Sequence, residues 1–161
     1  MLGYMLTTLR ENAGEDWSIR SAGTWVVEGS AMSARTRDAL LALDDLGVHQ
    51  FGAHRSHQLT GDDAVWADVI LTSEADHVRY VRSTFPRESP KAVQLAQFVR
   101  VAPLNGPLEE QLRVATSFEP SKEFDIADPA GGEQSAYDAC ARELWDLAQV
   151  FALLVGAERF L

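Results

Sequence analysis

Residues 124–132 combine a carboxylate, a proline and two glycines in a spacing that suits acid catalysis. Pro129 excludes helical backbone at Asp128 by steric clash, so Asp128 is held in an extended conformation. Gly131 and Gly132 then allow the backbone to turn or to approach a ligand closely. A carboxyl group on such a stiffened loop can be aimed into a cleft as a general acid. The alternative is an acidic turn that only connects two elements, and this loop alone does not decide between them.

The chain has few residues that could serve as a cysteine nucleophile or as metal ligands. Cys140 is the single cysteine, so neither an internal disulfide nor a cysteine-based metal site can form. It falls on the apolar stripe of a helical pattern, which favours a small buried side chain over a reactive thiol. The four histidines have no paired spacing that would indicate a metal site. We therefore expect no metal and no other cofactor.

Helical patterns lie on both sides of these residues. Residues 1–13 have apolar side chains at helical spacing and end at Gly14, a natural helix stop. Ser33 is suited to cap a second helix that reaches Leu46. After the acidic loop, apolar side chains recur at alternating steps of three and four, which predicts a long closing helix. These side chains are Tyr137, Cys140, Leu144, Leu147, Phe151 and Leu154.

Strand patterns alternate with the helices. Residues 17–24 predict a short strand, residues 67–72 form an apolar run typical of a buried parallel strand, and residues 95–101 are compatible with a last strand. Ser73 and Asp76 form a start resembling a capping box for a helix between the last two strands. The alternation predicts an α/β fold with a parallel sheet and helices on both faces.

Composition limits the classes of partner. With 161 residues, 46% of them apolar and 24% charged, the chain has the size and composition of one globular domain. A net charge of -10 argues against nucleic-acid and anionic-membrane partners, since both reward a basic surface. The start of the chain lacks a signal-peptide pattern, and the longest apolar run, residues 150–155, is too short to span a bilayer. We expect a soluble cytoplasmic protein.

Several segments together resemble the low-molecular-weight protein tyrosine phosphatases, which share their fold with some arsenate reductases. They are Ser-Ala-Gly-Thr at 21–24, His-Arg-Ser-His-Gln-Leu at 54–59, Val-Ile-Leu-Thr at 69–72 before a helix with His77, and Asp128-Pro129 before a helix with Tyr137. Their order and spacing cover nearly the whole chain. The resemblance implies a flavodoxin-like three-layer αβα fold, with a parallel four-stranded sheet whose first strand is interior.

The chemistry that the resemblance implies resides in a loop after that first strand, with the pattern Cys, five residues, Arg, then Ser or Thr. Backbone N–H groups of the loop and the following helix bind a phosphate dianion and lower the pKa of the cysteine, whose thiolate attacks phosphorus. The resemblance assigns Asp128 as the general acid for the leaving oxygen. It assigns Ser21 and His54 to bracing the phosphate loop, and Trp25 to the wall of the substrate site.

The chain departs from this pattern at the nucleophile. The sixth residue after Cys140 is Asp146 rather than Arg, and residues 1–4 match the helix that follows the phosphate loop. The resemblance therefore implies a domain over residues 1–161 that is incomplete at its N-terminus, without the first strand and the nucleophile loop, and inactive as written. His57 stands where the family usually has Arg, and Ala130 where it often has an aromatic residue.

Three functions remain open from the sequence. The first is a phosphatase acting on phosphotyrosine in proteins or on small phosphomonoesters. The second is a non-catalytic α/β module that acts only by binding. The third is an arsenate reductase of the same fold, which would need further redox cysteines beyond Cys140.

Overall fold

Two units make up the protein in a computed structural model that describes residues 1–104 and 106–156. The first unit contains Met1–Gln58 and Ala127–Ala152, and the second contains Leu59–Ile126 and Leu153–Leu161. In chain order, the helices and strands are α1 (Leu2–Ala13), α2 (Ala34–Leu41), α3 (Gly61–Trp66), β1 (Ile70–Thr72), α4 (Ala75–Thr84), β2 (Ala92–Gln94), α5 (Leu95–Val101), α6 (Leu108–Thr116) and α7 (Gln134–Val155).

Local signals define the helix ends of the first unit. Helix α1 ends at Gly14, whose φ of 68° allows its N–H to reach the carbonyls of Arg10 and Glu11. The Ser33 side chain accepts a hydrogen bond from the Thr36 N–H and so caps α2, as predicted. The helix predicted to run to Leu46 is shorter, because α2 ends at Leu41 and a separate 3-10 turn forms Asp44–Leu46.

The core of the first unit is formed by buried side chains of α1, α2, α7 and the turns after α2. Its buried apolar side chains are Met5, Leu6, Ala39, Leu40, Leu46, Phe51, Cys140, Ala141, Leu144, Ala148 and Phe151. The stripe predicted for the closing helix is thus confirmed at Cys140, Leu144 and Phe151. At the end of this face, Trp17 packs edge-on against Phe151, with ring centroids 6.4 Å apart.

The strand predicted over residues 17–24 does not form among the described residues. Within the first unit, this segment makes a single parallel bridge between Gly23 and Gln58. A strand is stable only when its backbone N–H and C=O groups form hydrogen bonds with those of a neighbouring strand over several residues. The prediction of a strand here was wrong, because the segment has the residue types of a strand without a continuous ladder beside it.

The second unit contains a small parallel sheet. Strand β1 pairs with β2 in the register Ile70 with Ala92, Leu71 with Val93 and Thr72 with Gln94. Helix α4 connects the two strands, and its side chains Val78 and Val81 pack on Ala92. This arrangement confirms the α/β class with a parallel sheet. The described sheet has two strands, not the four that the resemblance implies.

Two expectations for the second unit need correction. Residues 95–101 form helix α5, because Leu95 and Phe98, three positions apart, are both fully buried on one helical face. Ser73 does not cap α4: the helix begins after Glu74, and its first N–H, from Ala75, is bound by Asp125. By contrast, Thr60 and Asp63 form the reciprocal capping box that begins α3. Among the described residues, none of the helices is both long and apolar enough to cross a bilayer.

Candidate active site

Ser21 lies against the first turn of α1. A Cβ atom built on Gly3 would be 3.5 Å from the Ser21 Cβ and 4.0 Å from its Oγ. These are ordinary van der Waals distances, so the segment that carries Ser21 lies beside the first turn of α1. This contact puts one of the predicted site residues at the start of α1.

His54 lies beside the same helix, in an aromatic cluster around Tyr4 of α1. The Tyr4 ring lies 6.1 Å from the His54 ring, 5.0 Å from Phe51 and 5.3 Å from His49. Burial lowers the pKa of His54, and the positive charges of the Met1 α-amino group and Arg55 lower it further. His54 is thus favoured in its neutral form, in which it can both donate and accept a hydrogen bond. No hydrogen bond joins Ser21 to His54 in the described residues.

Cys140 also lies near the start of the chain, but its environment suppresses its reactivity. The side chain is 9% exposed. Burial raises the pKa of the Cys140 thiol, and the carboxylates of Glu143 and Asp128 raise it as well, while the Met1 α-amino group acts in the opposite direction. Burial likewise lowers the pKa of that α-amino group. The thiol is therefore held protonated and does not resemble an activated nucleophile.

Asp128 is exposed, and its loop has a defined shape. Its Oδ1 atom accepts a hydrogen bond from the Ala130 N–H at 2.9 Å, and the Gly132 N–H donates to the Pro129 carbonyl at 2.9 Å. Gly131 has a φ of 80°, a backbone conformation that residues with a side chain rarely adopt. The hydrogen bond from the Ala130 N–H involves only the Oδ1 atom of Asp128, and the other carboxylate oxygen, Oδ2, takes no part in it. The Asp128 carboxylate contributes to raising the pKa of the Cys140 thiol, so it lies within electrostatic range of Cys140.

Trp25 belongs to a loop of residues 23–30, the rim loop, and its side chain is 94% exposed. The rim loop is tied to residues 56–58 by backbone hydrogen bonds from Gly23 N–H to His57 and from Gly29 N–H to Ser56. The structure thus places Ser21 and His54 beside α1. Among the described residues, no contact of Asp128 or of Trp25 with these two is observed.

The sequence did not single out Tyr4, Glu28 or Gln58, although each organises this region. Glu28 accepts from the Gln58 N–H at 2.7 Å and lies 3.1 Å from the His57 ring. No short-range spacing could reveal this, because the partners are about thirty positions apart. Gln58 does fall in the segment 54–59 that carries the resemblance. Among the described residues, no group of three or more acidic, histidine or cysteine side chains could hold a metal ion.

The chain was compared with known proteins. No family model matches it. A protein-arginine-phosphatase of Geobacillus stearothermophilus is 29% identical over 141 residues, which cover 88% of this chain and 78% of the relative. The solved structure of the YwlE arginine phosphatase from the same organism is 28% identical, with a TM-score of 0.71 over 97% of this chain and 86% of that one.

A low-molecular-weight protein tyrosine phosphatase from T. tengcongensis has a TM-score of 0.72 at 23% identity, over 93% of this chain and 86% of that one. At that identity the likeness concerns the fold. The chain is thus similar in sequence to arginine phosphatases and similar in fold to a low-molecular-weight protein tyrosine phosphatase.

Proposed function

We propose that residues 1–161 form a phosphatase domain that acts on phosphorylated side chains of proteins, or on small phosphomonoesters, with Asp128 as the general acid. The observation that carries this proposal is the placement of Asp128. It is exposed on a tight Asp-Pro loop, oriented by the Ala130 N–H, and in electrostatic range of Cys140. Relatedness to phosphatases supports the same assignment.

In the proposed mechanism, each residue has a limited task. Asp128 protonates the departing group as the bond to phosphorus breaks, and its carboxylate then activates the water that hydrolyses the phospho-enzyme. Ser21 and His54, both next to α1, brace the loop that binds phosphate. A thiolate and a carboxylic acid complete the reaction without a metal, so the proposal includes no cofactor.

The nucleophile is the part of this mechanism that these residues do not supply. Cys140 is the only cysteine, and its thiol is buried with a raised pKa. A cysteinyl-phosphate mechanism would therefore need a cysteine from outside Met1–Leu161, and we propose that the chain as written is inactive. In the same proposal, β1 and β2 are two strands of the family's flavodoxin-like four-stranded sheet, and its interior first strand lies outside these residues.

Phosphoarginine is a second candidate for the substrate side chain. The relatives at 29% and 28% identity are named as arginine phosphatases. In addition, Ala130 stands beside the acid loop where the tyrosine phosphatases often have an aromatic residue, so this loop offers no flat ring to an aryl substrate. The leaving nitrogen of phosphoarginine needs a proton as much as a phenolate does, and Asp128 would supply it.

Trp25 is proposed as the aromatic wall of the substrate site. Its exposure leaves the whole indole available for contact. A cytoplasmic location fits the proposal, because a thiolate nucleophile requires a reducing compartment.

The decisive experiment compares three proteins: the chain as written, the chain extended by a strand and a Cys-x5-Arg-Ser loop before Met1, and the extended chain with that new cysteine replaced by serine. Hydrolysis of an aryl phosphate and of a phosphoarginine peptide is measured with and without EDTA. We expect turnover only with the intact loop, and no effect of EDTA. Circular dichroism confirms that all three proteins are folded.

Two results would contradict parts of the proposal. Turnover by the purified chain as written, retained in a Cys140→Ala variant, would show that another residue serves as the nucleophile. A folded but inactive extended chain would favour a module that only binds. The ratio of the two substrates then decides between phosphotyrosine and phosphoarginine.

A further inference from the structure

A cavity of about 720 Å³ lies in the second unit, beside the small sheet. Among its lining residues, Asp68 stands two positions before β1, and Pro90 and Lys91 stand just before β2. Parallel strands begin at the same end of a sheet, so the cavity lies at the amino ends of β1 and β2. The residues assigned to phosphatase chemistry belong to the first unit and do not line it.

The inner wall of this cavity is apolar. Leu112 of α6 is 8% exposed, and Leu108 lies one turn earlier on the same helix. Pro90 and Pro107 line the cavity as well, and each ring fixes the φ angle of its own residue. Binding sites for small groups are typically concave, largely preformed, mostly apolar and about 300–1,000 Å³ in volume. The cavity has the size and the wall of such a site.

The positive charges at the cavity are already neutralised. Lys91 forms an ion pair with Glu88. The Nε and Nη2 atoms of Arg113 donate to the two carboxylate oxygens of Glu110, at 2.7 and 2.6 Å, as a bidentate pair. The described lining residues therefore offer no unpaired cation to an anionic ligand such as a phosphate.

Two carboxylates of the lining have no such partner. Asp68 and Glu109 are both exposed, and neither forms a hydrogen bond or an ion pair with the residues that the structure describes. The cavity therefore combines two uncompensated negative charges with an apolar wall. A cationic group on a long apolar stem complements this combination. Of the two basic side chains, arginine binds carboxylates more specifically, through its planar fork of donors.

The apolar surface continues past the cavity onto the end of α3. The Lys91 Nζ atom donates to the carbonyls of Ala64 and Val65, at 3.4 and 3.3 Å, so this end of α3 lies next to the cavity. There, Val65 is 66% exposed and Trp66 is 39% exposed. A small cation would leave this surface uncovered, whereas an arginine within a peptide chain brings neighbouring side chains to it.

We propose that this cavity is a docking site for a partner protein, which inserts an arginine side chain toward Asp68 and Glu109 and covers Val65 and Trp66 with an adjacent apolar residue. The arginine stem packs on Leu108 and the proline rings, and its guanidinium donates to the two carboxylates. The inference goes beyond the proposed function. It concerns the second unit alone and requires neither a nucleophile nor a phosphate-binding loop.

The test uses the full chain and follows its backbone amides by NMR, with three probes. These are a leucine–arginine–leucine peptide with blocked ends, the same peptide with citrulline in place of arginine, and argininamide. Citrulline keeps the stem and the planar end group but carries no charge. We expect the arginine peptide to shift the amides of Lys91 and of residues 108–113, and the citrulline peptide to bind about 10-fold more weakly. Argininamide, which lacks the leucines, should also bind about 10-fold more weakly.

Two variants remove the charges while keeping the shape of each side chain. Asp68→Asn and Glu109→Gln should each weaken binding of the arginine peptide about 2- to 5-fold, and the double variant about 10-fold, because exposed ion pairs contribute little individually. Glu123→Gln removes an exposed carboxylate of the same unit that does not line the cavity, and should leave the affinity unchanged. Raising the ionic strength should weaken the arginine peptide but not the citrulline peptide.

Four outcomes would overturn the inference. Equal binding of the arginine and citrulline peptides would mean that the carboxylates do not select the ligand. Unchanged affinity in the double variant, or shifts confined to amides away from the cavity, would place the peptide elsewhere. Equal binding of argininamide and the arginine peptide would assign the cavity to a small cation instead of a protein. The fourth outcome is the absence of binding at millimolar peptide. If a variant fails to fold, the three probes on the unmodified protein decide.

Discussion

Asp125 caps helix α4 from fifty positions away, through a bond of 2.7 Å between its Oδ1 atom and the Ala75 N–H. The same oxygen accepts from Gln94 Nε2, also at 2.7 Å. Gln94 is 1% exposed, and its Oε1 atom has no hydrogen-bond partner in the described residues. The neighbouring Ile126 N–H donates to the Ser73 carbonyl and its side chain is 2% exposed, so this end of the acidic segment is firmly held within the second unit.

Asp125→Ala should therefore lower the free energy of unfolding by about 1–3 kcal/mol, because it leaves a buried amide and a helix N–H without a partner. Urea denaturation followed by circular dichroism measures this change. Glu123→Gln, two residues earlier and exposed, is the control and should have little effect. An equally small effect at Asp125 would show that water replaces the carboxylate.

His54 should make stability depend on pH. Its pKa is lowered in the folded protein, first by burial, so the unfolded chain takes up a proton on this residue before the folded chain does. Folding is therefore weakened as the pH falls below about 6.5, the ordinary value for histidine. Above that pH, His54 is neutral in the folded and unfolded states alike, and it no longer lowers the free energy of unfolding.

His54→Gln stays neutral, so its urea midpoint should fall less than that of the unmodified protein between pH 7.5 and pH 5.5. Carboxyl groups titrate alike in both proteins, and the difference between the two curves isolates His54. Parallel curves would mean that His54 titrates alike in the folded and unfolded states.

Cys140 should be chemically inert in the folded protein. Its thiol is buried and its pKa is raised, so little thiolate is present and access is blocked. Alkylation by iodoacetamide at pH 8 should be at least about 100-fold slower than in the urea-denatured chain. Mass spectrometry measures the labelling, with Cys140→Ala as the unlabelled control. Rapid labelling under native conditions would contradict this and make Cys140 a candidate nucleophile again.

Asp128→Asn should slow aryl phosphate hydrolysis about 10²- to 10⁴-fold in a chain that carries the nucleophile loop, which is the usual effect of losing a positioned proton donor. The loss should shrink for a strongly acidic nitrophenol leaving group, which departs without a proton. Glu133→Gln removes an exposed carboxylate in the same region and should leave the rate unchanged. An equal loss with both leaving groups would indicate a structural role for Asp128.

Trp25→Ala should change the free energy of unfolding by no more than about 0.5 kcal/mol, because the indole is 94% exposed. Leu46→Ala, in the same unit but 1% exposed, should cost about 2–5 kcal/mol. Comparing the urea midpoints of the two variants distinguishes an exposed recognition residue from a residue that packs in the core. A large loss at Trp25 would show that its side chain supports the fold.

The sequence alone determined the features that depend on neighbouring residues. Gly14 ends α1 and Ser33 begins α2, because each of these signals acts within four residues. The closing helix followed from the spacing of its apolar side chains, and the family resemblance followed from short motifs in a set order.

Tertiary structure decided where distant groups meet. Asp125 rather than Ser73 binds the first N–H of α4, residues 95–101 form a helix rather than a strand, and residues 17–24 gain a single bridge in place of a ladder. The same holds for Gln58, whose side-chain amide bonds the backbone of Thr24 and Val26. Hydrogen bonds between residues thirty to fifty positions apart leave no periodicity in the sequence, because their geometry exists only once the chain has folded.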